Sequence, residues 1–275
     1  MNNQTGAIGI FDSGYGGLTV FSEIKELMPK YDYIYLGDNA RAPYGNRSFE
    51  TVYEFTLEAV KWLFSQGCHL VILACNTASA KALKTIQQVD LPKIAPDKMV
   101  RGVIRPTAEC IDTLSQTRHI GILGTEGTIQ SQSYKIEIEK LHPPFVITSE
   151  ACPMWVPLIE NQEHNKPGAD YFVQQHLNQL LEKDENIDTI ILGCTHYPLL
   201  MNKIRKFLPD HINVIAQGEY VAKSLQNYLQ KYPEMDEKCT KNGIVQYFTT
   251  DSPDKFKQFA SMFLNENIDV EKVSI

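Results

Sequence analysis

The sequence predicts an α/β protein with a largely parallel sheet, and three observations support that prediction. The chain has 275 residues, enough for about two domains of roughly 150 residues each. Hydrophobic residues make up 43% of it and charged residues 21%, so the chain can bury a core and is unlike a disordered polypeptide. Short apolar segments alternate with amphipathic segments from end to end, which is typical of parallel strands connected by helices.

The individual elements follow from this alternation in chain order. Strands are predicted at the short apolar segments, which are residues 7–11, 32–36, 69–73, 100–104, 119–123, 145–149, 188–192, 212–215 and 244–248. Helices are predicted in the amphipathic stretches between them, at 17–28, 48–65, 77–88, 128–140, 168–183, 198–207, 217–230 and 253–264. The segment 89–97 contains Pro92 and Pro96 and has no helical periodicity, so we expect it to cross between two lobes.

The charge balance and the apolar pattern argue against several classes of function. The chain has 26 lysine and arginine residues against 33 acidic ones, and its net charge of −7 is the wrong sign for a nucleic-acid-binding protein. No apolar run approaches the roughly 18 residues of a membrane span, and the first residues lack the pattern of a secretory signal. We therefore expect a cytoplasmic protein without a nucleic-acid or membrane partner. Its scattered cysteines are expected to be reduced thiols: Cys68, Cys75, Cys110, Cys152, Cys194 and Cys239.

Two segments of the chain share one pattern at the end of a predicted strand. Ala74-Cys75-Asn76-Thr77 follows strand 69–73, and Gly193-Cys194-Thr195-His196 follows strand 188–192. Each has a small residue, a cysteine, two hydrogen-bonding residues and then a helix start. Ligands of open α/β sheets bind beyond the carboxyl ends of the strands, so both cysteines are candidates for a site. The two segments are far enough apart in the chain for each to anchor its own lobe.

The function of these cysteines has an ordinary alternative. Most free cysteines are buried small hydrophobic residues, and that interpretation stays open for Cys75 or Cys194 taken singly. A cysteine at a helix start can instead face a cleft, where backbone N–H groups stabilise its thiolate. The same arrangement occurs at two strand ends, and in each the cysteine is followed by two hydrogen-bonding residues. This repetition favours the functional interpretation.

Other predicted strands also end in polar or glycine-rich segments. Asp12-Ser13-Gly14-Tyr15-Gly16-Gly17 follows the first strand, Asp38 and the loop 42–45 follow the second, and Gly124-Thr125 follows strand 119–123. Glycines beside helix starts expose N–H groups that suit a carboxylate, whereas neither common nucleotide-binding glycine motif is matched. Taken alone, Asp12 would be a helix cap and His196 a structural residue. A metal site is disfavoured because compact spacing of soft ligands is missing.

Two thiols without a cofactor motif suit the inversion of a carbon that bears hydrogen. One base removes the proton from one face, and a conjugate acid delivers a proton to the other face. A thiolate and a thiol can serve as that base and acid near neutral pH. A closed cleft with fixed N–H and hydroxyl dipoles would stabilise the carbanion.

The motifs along almost the whole chain resemble those of the glutamate racemase family. They are Ile8-Gly9-Ile10-Phe11-Asp12-Ser13-Gly14-Tyr15-Gly16-Gly17-Leu18, Gly37-Asp38 with Pro43-Tyr44-Gly45, Ala74-Cys75-Asn76-Thr77-Ala78, Ile120-Gly121-Ile122-Leu123-Gly124-Thr125 with Thr128-Ile129-Gln130-Ser131 and Tyr134, Cys152-Pro153 with Val156-Pro157-Leu158-Ile159-Glu160, and Gly193-Cys194-Thr195-His196-Tyr197-Pro198-Leu199. The Cys-Thr-His-Tyr-Pro segment also separates the chain from related aspartate racemases, whose second cysteine is typically followed by Thr-Glu.

The resemblance implies a fold and a reaction. It implies two similar open-sheet α/β lobes with the active site in the cleft between them, residues 1–97 with 214–275 forming the first lobe and 98–213 the second, inserted lobe. It implies interconversion of L- and D-glutamate without cofactor or metal, which in bacteria supplies D-glutamate for peptidoglycan. A homodimer is also expected, although no exposed apolar stripe selects its arrangement.

The resemblance also implies roles for individual residues. Cys75 would deprotonate D-glutamate and Cys194 would deprotonate L-glutamate, with Asp12, Glu160 and His196 assisting the thiols. Substrate contacts would come from Asp12, Ser13, Tyr44, Gly45, Asn76, Thr77, Thr195 and His196, with Thr125 and Thr128 as further candidates.

The sequence departs from the family at two places. Ala216 stands where an Asp is usual, and Arg105-Pro106-Thr107 stands where Pro-Gly is common. Both departures concern lobe junctions, so we expect them to alter rate or affinity more than reaction type. The alternatives are a racemase for another acidic amino acid and a non-catalytic amino-acid-binding protein that has kept the cleft.

Overall fold

Two fully parallel sheets form the core of the chain in a computed structural model that describes residues 5–264 and 266–275. The strands are β1 (Ile8–Asp12), β2 (Tyr33–Gly37), β3 (Leu70–Leu73), β4 (Met99–Gly102), β5 (His119–Gly124), β6 (Val146–Ala151), β7 (Thr189–Gly193), β8 (Asn213–Ile215), β9 (Val245–Thr249) and β10 (Val270–Lys272). One sheet has six strands in the order β10-β9-β2-β1-β3-β4, and the other has four in the order β6-β5-β7-β8. The predicted α/β class with parallel strands is confirmed.

Helices connect the strands and cover both faces of each sheet. The α-helices are α1 (Leu18–Leu27), α2 (Phe49–Ser65), α3 (Asn76–Lys81), α4 (Leu83–Thr85), α5 (Leu91–Ile94), α6 (Ile104–Cys110), α7 (Glu126–Gln130), α8 (Ser133–Leu141), α9 (Trp155–Glu160), α10 (Pro167–Lys183), α11 (Met201–Phe207), α12 (Gly218–Lys231), α13 (Pro233–Asp236) and α14 (Pro253–Leu264). A π-helical turn spans Ile86–Asp90, and 3-10 turns span Ile111–Thr113 and Tyr197–Leu200.

The central strands are apolar throughout because both of their sides are covered. In β1, Ile8 and Ile10 pack into one apolar cluster of the six-stranded sheet, whereas Phe11 packs into the cluster on the opposite face. The four-stranded sheet likewise has one apolar cluster on each face. Strands that are buried on both faces lose the polar–apolar alternation of a half-exposed strand. This explains why short continuous apolar runs predicted them correctly.

The expectation that residues 89–97 cross between lobes is wrong. This segment comprises the end of the π-helical turn and the helix α5, and the chain then enters β4, which pairs with β3 in the same six-stranded sheet. Pro92 lies in the first turn of α5, where the missing backbone N–H breaks no helical hydrogen bond. The proline therefore indicates a helix start and not an irregular crossing.

The chain changes sheet at later residues than predicted. Strand β4, at residues 99–102, is an edge of the six-stranded sheet, although the predicted second lobe begins at residue 98. Strand β8 pairs with β7 in the four-stranded sheet, so the predicted return at residue 214 would divide a strand. The two crossings between the sheets therefore lie at Val103, directly after β4, and between Ile215 and Gly218.

The carboxyl ends of the strands determine where a site can form. Asp12, Asp38 and Cys75 lie at or just beyond the ends of β1, β2 and β3. Thr125 and Cys194 lie just beyond the ends of β5 and β7 in the other sheet. These two edges approach each other, and side chains from both line one cavity.

Candidate active site

A cavity of about 210 Å³ lies between the carboxyl ends of the two sheets. The first sheet and its loops contribute Ser13, Gly14, Ala42, Pro43, Tyr44, Gly45, Asn46, Cys75, Asn76 and Thr77. The second contributes Thr125, Glu126, Cys152, Pro153, Val156, Pro157, Glu160, Cys194, Thr195 and His196. Lysine and arginine are absent from this set of described lining residues, so a carboxylate there would be held mainly by neutral donors.

Cys75 lies at the start of α3 and contributes a neutral thiol to the cavity. Its sulfur accepts a hydrogen bond from the backbone N–H of Ala78 at 3.4 Å and lies 3.3 Å from Oγ of Ser13. Burial and, to a smaller extent, the nearby Asp12 carboxylate raise the pKa of this thiol to about 12, against the hydrogen bonds from Ser13 and Ala78. At neutral pH Cys75 is therefore an acid that can give up a proton, provided a base forms elsewhere in the cavity.

Cys194 follows β7 and lies beside a buried histidine. Its Sγ is 3.9 Å from Nδ1 of His196, and Nε2 of that ring is 3.2 Å from Oε1 of Glu160. Burial alone would lower the pKa of His196, but its hydrogen bonds with Cys194 and Glu160 raise that pKa to about 10. His196 is therefore an imidazolium at neutral pH, and it places a positive charge next to the sulfur of Cys194.

Asp12 is fully buried beneath the cavity. One of its carboxylate oxygens accepts from the backbone N–H of Gly14 at 2.9 Å, and the other accepts from Oγ1 of Thr195 at 3.5 Å. Burial raises the pKa of Asp12, whereas the charge of His196 lowers it. Asp12 thus connects the loop after β1 with the segment that bears Cys194 and does not itself line the cavity.

Two glycines after β1 are required because His196 and Thr195 approach this loop closely. A Cβ at Gly16 would lie 2.4 Å from Nδ1 of His196 and 2.4 Å from Oγ1 of Thr195. A Cβ at Gly17 would lie 2.5 Å from that of Asp12. All three distances are too short for a residue with a Cβ, so the glycines allow the histidine to reach the first sheet.

The loop that contains Tyr44 and Gly45 is held by a buried carboxylate. Asp38 accepts from the hydroxyl of Tyr44, from Nε of Arg41 at 2.7 Å and from Oγ1 of Thr250 at 2.8 Å. Tyr44 lines the cavity, but its hydroxyl proton is directed to Asp38, so a substrate could only donate to that oxygen. The backbone oxygen of Gly45 accepts from the N–H of Gly127 at 2.7 Å and thereby contacts the second sheet's helices.

Three threonine hydroxyls form a second connection between the two sides of the cavity. Oγ1 of Thr77 is 3.0 Å from Oγ1 of Thr125 and 3.3 Å from Oγ1 of Thr128. Thr125 also caps α7 by accepting from the backbone N–H of Thr128. The hydroxyls of Thr77 and Thr125 therefore lie together at the wall of the cavity.

The structure brings together most residues that the sequence predicts for the site and adds an apolar wall. The added residues are Cys152, Pro153, Val156 and Pro157. Cys152 directly follows β6, which extends to Ala151 and not to 149 as predicted, so the misplaced strand end hid it. Among described residues, no cluster of three or more His, Cys, Asp or Glu suits a metal ion, and no described helix has the length and apolarity needed to span a membrane.

The chain is similar to racemases over nearly its whole length. The family model of Asp/Glu/Hydantoin racemases matches residues 8–225. A glutamate racemase from Persephonella marina is 40% identical over 270 residues, which are 98% of this chain and 97% of that protein.

Two solved structures extend the similarity to three dimensions. A glutamate racemase isoform from Bacillus anthracis has a TM-score of 0.89 and 37% identity, and the match covers 98% of each chain. A glutamate racemase from Francisella tularensis in complex with D-glutamate has a TM-score of 0.86 and 32% identity, and the match covers all of this chain and 98% of the other.

Proposed function

Because the chain belongs to the Asp/Glu/Hydantoin racemase family, we propose that it is a glutamate racemase that interconverts L- and D-glutamate with two cysteines and no cofactor. One observation supports this proposal above all others: Cys75 and Cys194 line the same cavity from opposite sheets. Two acid–base groups on opposite sides of one stereocentre are what inversion requires.

The reaction is a transfer of two protons on opposite faces of the α-carbon. Starting from L-glutamate, the thiolate of Cys194 removes the α-proton, and the electron pair of the broken C–H bond stays on carbon. The thiol of Cys75 then delivers its proton to the opposite face, so D-glutamate forms and Cys75 becomes the thiolate. The reaction from D-glutamate runs through the same steps in reverse.

The unequal surroundings of the two sulfurs support this assignment. Burial and Asp12 raise the pKa of Cys75, which keeps its proton on sulfur until the carbanion needs it. Negative charge on the sulfur of Cys194 is stabilised by the imidazolium of His196, 3.9 Å away. In the direction from L-glutamate, Cys75 is thus assigned as the acid and Cys194 as the base.

The remaining predicted residues are assigned to positioning and to substrate contacts. Glu160 positions the His196 ring through its 3.2 Å contact with Nε2. Asp12 positions the segment that bears Cys194, because it accepts hydrogen bonds from Thr195 and from the Gly14 N–H. The glutamate carboxylates and amino group would meet the predicted contact residues that line the cavity, namely Ser13, Tyr44, Gly45, Asn76, Thr77, Thr125, Thr195 and His196. Fixed donors of this kind stabilise the charge that develops as the α-proton leaves.

The two sheets define the two lobes of this proposal, with corrected bounds. The first lobe comprises the described residues up to Gly102 together with those from Gly218 onward, and the second comprises 104–215. We place the enzyme in the cytoplasm, where its six free thiols stay reduced and D-glutamate is supplied for peptidoglycan. A homodimer stays a prediction.

Racemisation and α-hydrogen exchange test the proposal together. In deuterated water and without added cofactor, the purified chain should racemise D-glutamate by polarimetry and incorporate deuterium at the α-carbon. Cys75→Ala and Cys194→Ala should each lower kcat by roughly 10²- to 10⁴-fold or more, since each removes one of the two acid–base groups.

Cys110→Ala is the matched control, because this half-buried thiol lies outside the set of residues that line the cavity. It should keep wild-type activity, and both catalytic variants should still show a glutamate-dependent rise in Tm. Near-normal turnover by either catalytic variant would exclude the two-cysteine mechanism. Faster exchange with another acidic amino acid than with glutamate would reassign the substrate.

A further inference from the structure

Gln217 lies at the point where the chain returns to the first sheet, between β8 and α12, and its side chain is only 3% exposed. Its Nε2 is 3.4 Å from the backbone oxygen of Val103, which is the site of the other crossing, and 3.1 Å from Oγ1 of Thr107. The same nitrogen also donates to the hydroxyl of Tyr134. Gln217 therefore connects both crossings of the chain.

The partners of Gln217 fix which end of its amide faces them. The carbonyl of Val103 can only accept, and Thr107 donates its own hydroxyl proton to that carbonyl at 3.0 Å, so Thr107 must accept from Gln217. Both positions therefore require the NH₂ end of the Gln217 amide. The oxygen Oε1 of Gln217 is left to point in the opposite direction, toward Asn76.

Asn76 receives its orientation from Gln217 and Tyr134. Its Nδ2 donates to Oε1 of Gln217 at 2.6 Å, and its Oδ1 accepts from the hydroxyl of Tyr134, also at 2.6 Å. If the Asn76 amide were reversed, its oxygen would face the oxygen of Gln217, and its NH₂ would face a hydroxyl that already accepts from Gln217. The hydrogen bonds of Gln217, Tyr134 and Thr107 therefore permit only one orientation of the Asn76 amide.

Asn76 follows Cys75 directly and lines the cavity. An NH₂ group has two protons, of which Gln217 takes one, and among the described residues no partner takes the second. In the fixed orientation, the second N–H of Asn76 is available to a ligand in the cavity. The carbonyl oxygen of Asn76 already accepts from the hydroxyl of Tyr134. An N–H attracts a carboxylate, whereas a carbonyl would repel it.

We infer that Gln217 is a positioning residue that holds the Asn76 amide with its N–H available to a carboxylate oxygen of the substrate. The inference rests on the proposed function, because it takes the cavity as the glutamate site. Gln217 is 141 residues from Asn76 in the chain and acts only through it.

Gln217→Met tests the inference, since methionine fills a similar volume without polar atoms. We expect KM to rise about 3- to 10-fold for both enantiomers, the effect of losing one oriented hydrogen bond, with kcat within about twofold of wild type. Gln87→Met is the matched control: Nε2 of Gln87 donates to the backbone oxygen of Val100 at 2.7 Å, and Gln87 is outside the set of cavity-lining residues. It should leave KM unchanged.

A double-mutant cycle separates positioning from general destabilisation. If Gln217 acts through Asn76, Gln217→Met should raise KM in the wild-type background and have no further effect in an Asn76→Ala background. Tyr134→Phe removes the proton donated to Oδ1 of Asn76 and should behave in the same way. A merely structural effect of Gln217 would persist when Asn76 is absent.

The outcomes distinguish this inference from the proposed function. An unchanged KM in Gln217→Met, or an equal rise in the Asn76→Ala background, overturns the inference while wild-type racemisation stands. If Gln217→Met fails to fold, Tyr134→Phe replaces it, because it removes the proton donated to Oδ1 of Asn76 and should raise KM only where Asn76 is present. A wild-type chain that exchanges no α-hydrogen of glutamate overturns both.

Discussion

At the scale of single residues, the two sulfurs differ in what surrounds them. Cys75 is held by the Ala78 N–H and the Ser13 hydroxyl, whereas Cys194 lies beside the charged ring of His196. The two enantiomers of glutamate have equal free energies in water, so kcat/KM must be equal in both directions for any variant. Differences between the sulfurs can therefore change kcat and KM in each direction, but kcat/KM from L-glutamate stays equal to kcat/KM from D-glutamate.

Removing the charge beside Cys194 should slow the reaction in both directions. We expect His196→Gln to lower kcat/KM by about 10²-fold, because negative charge on the Cys194 sulfur loses its cationic partner. The measurement is steady-state kinetics from L- and from D-glutamate, with the exposed His211→Gln as control. A variant with wild-type kcat/KM would show that the imidazolium does not assist Cys194.

Local patterns singled out the cavity-lining residues that directly follow strands, but they did not indicate residues that meet the cavity lining only in the folded chain. Cys75, Cys194 and His196 were recognisable because polar residues at the end of an apolar strand stand out locally. Glu160 was found only through the family resemblance, since its position in α9 has no local signature. The contact between Gln217 and Asn76 was missed because the two residues are 141 positions apart and no local pattern shows that they meet.

At the scale of elements, the strands with an apolar run were predictable and a strand without one was not. β1 to β9 were found from their apolar runs, including the three-residue β8 with its Val214-Ile215 pair, whereas β10 places two charged residues after Val270. The helix α6 was missed because Pro106 suggests a break, although a proline in the first helical turn removes no helical hydrogen bond. Short elements depend on tertiary packing, which a local pattern does not contain.

The turn between β1 and α1 should tolerate no side chain at Gly16. Gly16→Ala places a Cβ 2.4 Å from His196 and from Thr195, so the ring must move and kcat/KM should fall by about 10²-fold or more. Gly168→Ala is the matched control: a Cβ there meets nothing within 4 Å, and alanine should stabilise α10 by about 0.5–1 kcal/mol. Kinetics and thermal melts of both variants check this, and full activity in Gly16→Ala would contradict the proposed position of His196.

At the scale of the whole molecule, hydrogen bonds between the two sheets' elements hold the site together. The hydroxyl of Thr19 donates to the backbone oxygen of Thr195 at 2.9 Å, and Gly127 donates to Gly45 at 2.7 Å. The buried ring of His196 contributes a charge at this junction, so overall stability is linked to its protonation.

The predicted lobe boundaries differ from the points where the chain changes sheet, because no residue near 98 or 214 indicates which sheet a strand joins.

Thermal stability should fall as the pH rises above the ordinary pKa of histidine. In the folded protein the pKa of His196 is raised from 6.5 to about 10, so its stabilising contribution is complete below pH 6.5 and is lost as the pH rises through 10. Between pH 6.5 and 9 the Tm should drop by several degrees, whereas thiols whose pKa burial raises, such as Cys75, affect the Tm only above about pH 9. His196→Gln should flatten this part of the Tm profile, and an equal slope in the variant would contradict the raised pKa.

The position of β9 and β10 outside β2 has a consequence for biosynthesis. All strands of the four-stranded sheet lie between residues 119 and 215, so this sheet can form on the ribosome before β9 and β10 emerge. Until β9 is made, β2 exposes an unpaired edge to other nascent chains. Thr250, which anchors Asp38, is translated later still. The newly made protein therefore completes its candidate active site only after β9 and Thr250 have been translated.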